Sequence, residues 1–181
     1  MGVNAVVLPG IGGAGAGHWQ MIWAAADPAM VVFEPSSWDL PNLDDWCAAL
    51  DRVVFKAKKP PLLIAHSLSC LLIAHWAARA GSRASGAFMV GVPDPDGPAF
   101  PKVEAPTFRN PPVKPLPFPA LMVASTNDEY STADYARRRA QELNAGLVVA
   151  GELGHINEAS GLGRWAQGEA LLTAFRTGIG S

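Results

Sequence analysis

Hydrophobic positions along the chain fall into two alternating patterns. Short runs that are apolar at nearly every position have the length of strands: Val3–Leu8, Met30–Phe33, Leu62–Ala65, Ala87–Val90, Ala120–Ala124 and Leu147–Ala150. A strand apolar on both sides needs cover on both sides, which is the condition of a parallel sheet between two layers of helix. The stretches between space their apolar residues at three and four. They predict helices over His18–Ala26, Leu43–Ala57, Leu68–Ala80, Thr132–Leu143 and Gly161–Thr177. Strand and helix taking turns predicts an α/β fold: a central, mostly parallel sheet of about six strands, helices on both faces and right-handed crossovers.

Local signals sharpen this outline. Asn42 is placed to cap the second helix, with Asp45 in its first turn and Leu43, Trp46, Cys47, Leu50, Val53 and Val54 on one face. Ser131-Thr132-Ala133-Asp134 is a capping-box variant that opens the fourth helix, and Gly146 marks its stop. The third helix, "LSCLLIAHWAARAG", is apolar nearly all round, so it belongs against the middle of the sheet. Residues 92–119 break the rhythm, being proline-laden with neither period. Their prolines predict an ordered excursion over one sheet edge, too short to form a cap domain.

Composition adds bounds. With 181 residues, 49% hydrophobic and 17% charged, the expectation is one core-rich domain over 1–181. A net charge of −2 gives no basic face for nucleic acid. The run Arg137 to Arg139 reads as a solvated helix face. No unbroken apolar segment reaches membrane-span length and no charged leader precedes an apolar stretch, so a cytoplasmic protein without a membrane partner is expected. Cys47 and Cys70 read as buried thiols, although two cysteines permit one disulfide. His18, His66, His75 and His155 lack ligand spacing, so no metal is expected. A protein partner is not indicated.

Two stretches could carry chemistry. In "PGIGGAGAGHW", Gly10, Gly12 and Gly15 satisfy G-x-G-x-x-G after a strand, and Glu34 ends the next apolar run. That pattern fits a dinucleotide site and, with it, an oxidoreductase. Yet Pro9 enters the turn before the first glycine, and the helix begins only near His18, which weakens a pyrophosphate seated on a helix N-terminus. The second stretch is "PPLLIAHSLSCLLIAHW", where an apolar strand turns at His66-Ser67-Leu68 directly into the buried helix. A nucleophile elbow has this form, with small residues required two positions either side of the serine, here Ala65 and Ser69. The alternative is that Ser67 only caps the helix. His66 flanks the serine with its side chain expected to point away, and His75 should pack within the helix.

A serine nucleophile needs an imidazole base and a carboxylate to orient it. "ALMVASTNDEYS" is a strand running into a polar turn with Asp128, and "LVVAGELGHINEAS" is a strand and loop ending at His155. Each also has a plain alternative: Asp128 as a turn former, with Glu129 next door able to take its role, and His155 as a surface-loop histidine. Together Ser67, Asp128 and His155 occur in chain order at successive strand ends, where parallel sheets place their ligands. An oxyanion hole would then draw one backbone N–H from Leu68 and the second from Ile11 or Gly12, with Ile11 assigned.

With those residues in view, the chain resembles the small serine hydrolases related to retinoblastoma-binding protein 9, a cap-less branch of the α/β-hydrolase superfamily. The resemblance rests on "LPGIGGAGAGHWQ", "IAHSLSCLLIAHWA", "ASTNDEYS" and "GHIN" and spans nearly the whole chain. It implies an α/β-hydrolase fold without a cap domain and a cofactor-free hydrolase of small esters or amides. Ser67 would be its nucleophile, Asp128 its acid and His155 its base, working through an acyl-enzyme. The departure is Ser69, where the family commonly keeps glycine; its added Cβ and hydroxyl are expected to tilt the elbow or reposition the Leu68 N–H. That departure supports the alternative of a catalytically silent binding protein. Gly10, Gly12 and Trp19 are expected to contact substrate, and Trp19, Trp38, Phe100, Phe108 and Phe118 to wall an apolar acyl pocket.

Overall fold

The computed structural model describes residues 2–180. Six strands, β1 (Ala5–Leu8), β2 (Met30–Val32), β3 (Leu62–His66), β4 (Gly86–Val90), β5 (Ala120–Ala124) and β6 (Gly146–Val149), form one sheet in the order β2-β1-β3-β4-β5-β6. Every neighbouring pair is parallel. Five helices, α1 (Trp19–Ala26), α2 (Leu43–Lys56), α3 (Leu68–Ala77), α4 (Ala133–Leu143) and α5 (Ala166–Ile179), cover its two faces. This is the α/β-hydrolase arrangement, with no cap domain among the described residues.

The unbroken apolar runs now have a physical reason. Alternate side chains of one strand enter two separate cores. Val6, Leu8, Leu63, Ala65, Met89 and Met122 join Trp46, Leu50, Leu71, Trp76 and Leu143 on the face covered by α2, α3 and α4. Ala5, Leu62, Ile64, Phe88, Val90 and Val123 meet Trp19, Trp23, Trp165 and Leu172 of the α1 and α5 face. Of α3, every residue but His75 is buried, as its all-round apolar sequence requires. Gln20 adds a polar tie in this interior: its Nε2 donates to the carbonyls of Leu8 and Ile64, clamping α1 to the end of β1 and the middle of β3.

Helix ends follow their caps. Asn42 Oδ1 accepts from the N–H groups of Asp44 and Asp45, and Thr132 Oγ1 accepts from Tyr135 N–H. The stop of α4 is Asn144, in the left-handed conformation at φ 52°, and not Gly146, which begins β6. The last helix starts at Ala166, not Gly161. A 3-10 turn over Glu158–Ser160, capped by Asn157, and Gly161, Gly163 and Trp165 at positive φ occupy the intervening chain. Cys47 and Cys70 are buried free thiols. Among the described residues, no helix is long and apolar enough to cross a membrane.

The proline-rich segment corrects the expectation of an edge excursion. It connects β4 to the adjacent β5 and carries Phe100, Ala105, Phe108 and Phe118 into the core shared with α2, α3 and α4. Its backbone is held there: Thr107 Oγ1 accepts from Leu43 N–H, His75 Nε2–H donates to Phe108 O, and Leu116 N–H donates to Leu143 O. The segment stands where a crossover helix would. It also explains why the arginine run is not wholly solvated. Arg137 and Arg138 face water, but Arg139 is only 2% exposed and donates from Nη1 to Pro112 O and to Glu142.

Candidate active site

Ser67 sits between β3 and α3 at φ 54° and ψ −125°, a backbone conformation that costs a non-glycine residue on the order of 1–3 kcal/mol. The surroundings hold it there. Ser67 N–H donates to Val90 O, extending the sheet by one bond, and Ser67 O accepts from Cys70 N–H as α3 begins. Its side chain makes no helix-cap hydrogen bond, so the capping alternative for Ser67 does not describe this turn. Ser69 has a partner of its own. It is fully buried, and its hydroxyl donates to Pro9 O, tying the first turn of α3 to the glycine loop.

That loop lies directly against the serine. A Cβ on Gly10 would stand 2.9 Å from Ser67 Cβ and 3.3 Å from Oγ. Gly12 N–H donates to Trp38 O and Gly13 N–H to Gly10 O, so both are occupied. Among the described residues, Ile11 N–H has no acceptor, and Leu68 N–H, at the first position of α3, has none within its helix. The glycines do not open a helix, since α1 begins at Trp19 behind a His18 cap. Gly15 and Gly17 instead pack on the Glu158 carboxylate, and Glu34 lies beyond β2 with its carbonyl accepting from Arg52.

The chain brings the three residues singled out by order together. His155 Nε2 is 2.8 Å from Ser67 Oγ, and its Nδ1 is 2.9 Å from each oxygen of Asp128. The His155 and Asp128 side chains are 6% and 2% exposed. Asp128 Oδ1 also accepts from Tyr130 N–H. The loops carrying Asp128 and His155 are sewn together within three residues of each: Ser125 Oγ accepts from Leu153 N–H, and Asn127 Oδ1 accepts from Gly154 N–H and from Ser125. On the other side, His66 Nε2–H donates to His155 O. Gly91, at φ 62°, leaves room for His155, whose carbonyl oxygen a Cβ there would approach to 3.2 Å.

His66 therefore does not simply point away. Its ring lies 4.9 Å from that of His155, and the ring of His18 lies 4.9 Å from His66. Burial holds His66 well below the usual histidine range, with the neighbouring His155 and His18 adding to the effect. Burial, then His155, pushes His18 down to about 4. Both stay neutral near pH 7, so neither opposes a positive charge on His155. Tyr130 covers the other side, its ring 4.4 Å from His155.

A cavity of about 260 Å³ opens over these groups, lined by Gly10, Ile11, Ser67, Leu68 and His155, together with Pro93, Phe100 and Pro101 of the proline-rich connection and the polar His18, Asn157 and Glu158. Of the expected substrate contacts, Gly10 lines it while Gly12 and Trp19 do not. Trp19 is buried behind the site and donates from Nε1 to Ile156 O. Among the expected aromatic walls only Phe100 reaches the cavity. Trp38 packs on Phe33 and Trp46, Phe108 on Trp46, and Phe118 on Trp76. Sequence reasoning missed Tyr130, His18, Asn157 and Glu158 as lining groups, although Asn157 and Glu158 follow His155 by two and three residues.

The family model described as Serine hydrolase matches residues 5–174. The chain belongs to the serine hydrolase family. Among solved structures, this serine hydrolase is similar to a YdeN-like hydrolase from Pectobacterium atrosepticum, with 28% identity and a TM-score of 0.87, covering 97% of this chain and 91% of that one. It is also similar in fold to the ydeN gene product of B. subtilis (18% identity, TM-score 0.72, 96% and 98% covered). A monoacylglycerol lipase from Paleococcus ferrophilus shares the fold at 13% identity and a TM-score of 0.69, with 99% and 96% covered. No curated protein matches the sequence significantly.

Proposed function

We propose that this serine hydrolase, acting as one domain, cleaves small carboxylic esters or amides through an acyl-enzyme formed on Ser67, with His155 as base and Asp128 as its orienting carboxylate. The observation that carries the reading is the continuous relay of 2.8 Å and 2.9 Å contacts from the Ser67 hydroxyl through His155 to a buried carboxylate.

The chemistry follows from the placement of protons. Asp128 accepts from His155 Nδ1–H, which leaves the Nε2 lone pair facing Ser67 Oγ–H. As Oγ attacks the substrate carbonyl carbon, its proton passes to Nε2 and the carbonyl oxygen becomes an oxyanion. The free N–H groups of Leu68 and Ile11 are the donors proposed to hold it. When the tetrahedral adduct collapses, the bond from carbon to the leaving oxygen or nitrogen breaks and Nε2–H returns the proton to that atom. Water then enters by the same route, giving its proton to Nε2. The acid leaves and Ser67 regains its hydrogen. The low exposure of Asp128 keeps its charge undiluted beside the imidazolium.

A fluorophosphonate probe tests the reading by covalent labelling. Wild-type protein is expected to label near pH 7 and Ser67→Ala to remain unlabelled. A panel of 4-nitrophenyl esters of graded chain length then reports turnover. Labelling that persists in Ser67→Ala, or absence of both labelling and turnover, overturns the proposal.

A further inference from the structure

The cavity is two-sided in its chemistry. Pro93, Phe100 and Pro101, all from the proline-rich connection, form an apolar wall. Facing the start of α1, His18 and Glu158 present polar groups that the relay does not use. His18 is only 4% exposed, and its Nδ1 accepts from Gln20 N–H. That bond fixes the tautomer of the neutral ring: the proton is on Nε2, which has no acceptor among the described residues. Glu158 rests its carboxylate on the same short loop, where a Cβ on either Gly15 or Gly17 would lie 2.5 Å from one of its oxygens. The Glu158 carboxylate has no hydrogen-bond or ion-pair partner among the described residues. An unpartnered donor and a free acceptor thus border the cavity.

The mechanism tells which part of a substrate lies there. His155 hands its proton to the leaving group, so the leaving group departs on the imidazole side of Ser67. His18 lines the same cavity as His155 and lies one ring beyond His66 from it, and Glu158 lies three residues after His155 in the same loop. A hydroxyl is the group that satisfies both, since it accepts from an N–H and donates to a carboxylate at once. We propose that His18 and Glu158 are substrate-positioning residues selecting esters of hydroxyl-bearing alcohols, with the apolar acyl chain against Phe100 and its proline neighbours. The inference rests on the hydrolytic reading above and specifies its leaving group.

The test compares 2,3-dihydroxypropyl butyrate with propyl butyrate, which share the acyl group and differ only in hydroxyls, by following butyrate release. Wild-type kcat/KM is expected to favour the dihydroxypropyl ester by about tenfold or more, the range of one neutral and one charge-assisted hydrogen bond. His18→Asn keeps a cap acceptor for Gln20 N–H while withdrawing the distant donor. Glu158→Ala removes the exposed carboxylate. Each should lower the ratio several-fold, and the double variant should bring it near one. A purely structural role would lower both esters together and leave the ratio unchanged, which overturns the proposal. Parallel measurement with 4-nitrophenyl butyrate separates the two levels. Turnover of that ester with a wild-type ratio near one sinks the leaving-group assignment alone, whereas inactivity on all three esters sinks both.

Discussion

Gly10→Ala isolates the contact between the glycine loop and Ser67. Gly10 is not among the residues at positive φ, so alanine meets no backbone penalty and the effect is one of contact alone. The new methyl would sit 2.9 Å from Ser67 Cβ and 3.4 Å from His66 O. Reaching ordinary van der Waals contact at 3.4 Å requires a displacement of about 0.5 Å between loop and elbow. The elbow is fixed by the sheet bond to Val90 and by the start of α3, so the movement is divided between Ser67 Oγ and the Ile11 N–H. A misplacement of 1 Å costs about 100-fold in rate, so half of that predicts a loss of roughly tenfold or more in kcat/KM and in fluorophosphonate labelling. Overpacking should also cost about 1–3 kcal/mol of stability, read from urea melts. Gly12→Ala is the control. Gly12 has φ 78° with open space around its Cβ position, so alanine there should cost about 1 kcal/mol through backbone strain while labelling stays within about twofold. A Gly10→Ala protein that labels as fast as wild type, or a Gly12→Ala protein equally impaired, would refute the reasoning.

Three further outcomes are expected. Asp128→Asn should lower kcat on 4-nitrophenyl butyrate by about 10⁴-fold, because an amide cannot hold the required His155 tautomer; a loss below about tenfold would count against the relay. Stability should fall on acidification. The unfolded chain binds a proton at His18 near pH 6.5 while the folded chain binds it only near 4, so between those values unfolding takes up a proton and each pH unit lost removes up to about 1.4 kcal/mol. His66 acts in the same direction, and urea melts of His18→Asn between pH 7 and 5 should show a shallower slope than wild type. Burial pushes the Cys47 thiol up to about 11 and Cys70 higher still, so iodoacetamide should modify neither in the native protein and both in urea.

Much of this architecture was legible in sequence because parallel strands covered on both sides must be apolar throughout. All six strands fell within two residues of their observed limits. Chain order and strand ends singled out Ser67, Asp128 and His155, which the fold joins in one hydrogen-bonded chain. What escaped prediction depends on long-range packing. The proline-rich segment has no period of its own, and only contact with α2, α3 and α4 shows that it substitutes for a helix. Arg139 reads as one of three solvated arginines until Pro112, 27 residues earlier, supplies its acceptor. Aromatic residues suit pocket walls and cores equally well, so Trp19, Trp38, Phe108 and Phe118 could not be told from Phe100. The stop at Asn144 and the late start of α5 turned on residues other than glycine adopting positive φ, which composition does not announce.

The imidazole hangs from the rim of the sheet. β6 is an edge strand, bonded on one side only and partly open to water, and the histidine follows it by six residues. Edge strands fray before central ones. The stitches from Ser125 and Asn127 anchor that vulnerable margin to β5, one strand further in, and His66 anchors it from β3. On the proposed mechanism, hydrolytic competence is accordingly the first property to go as the fold warms: catalysis should decay at temperatures where the central strands still protect their amides from exchange.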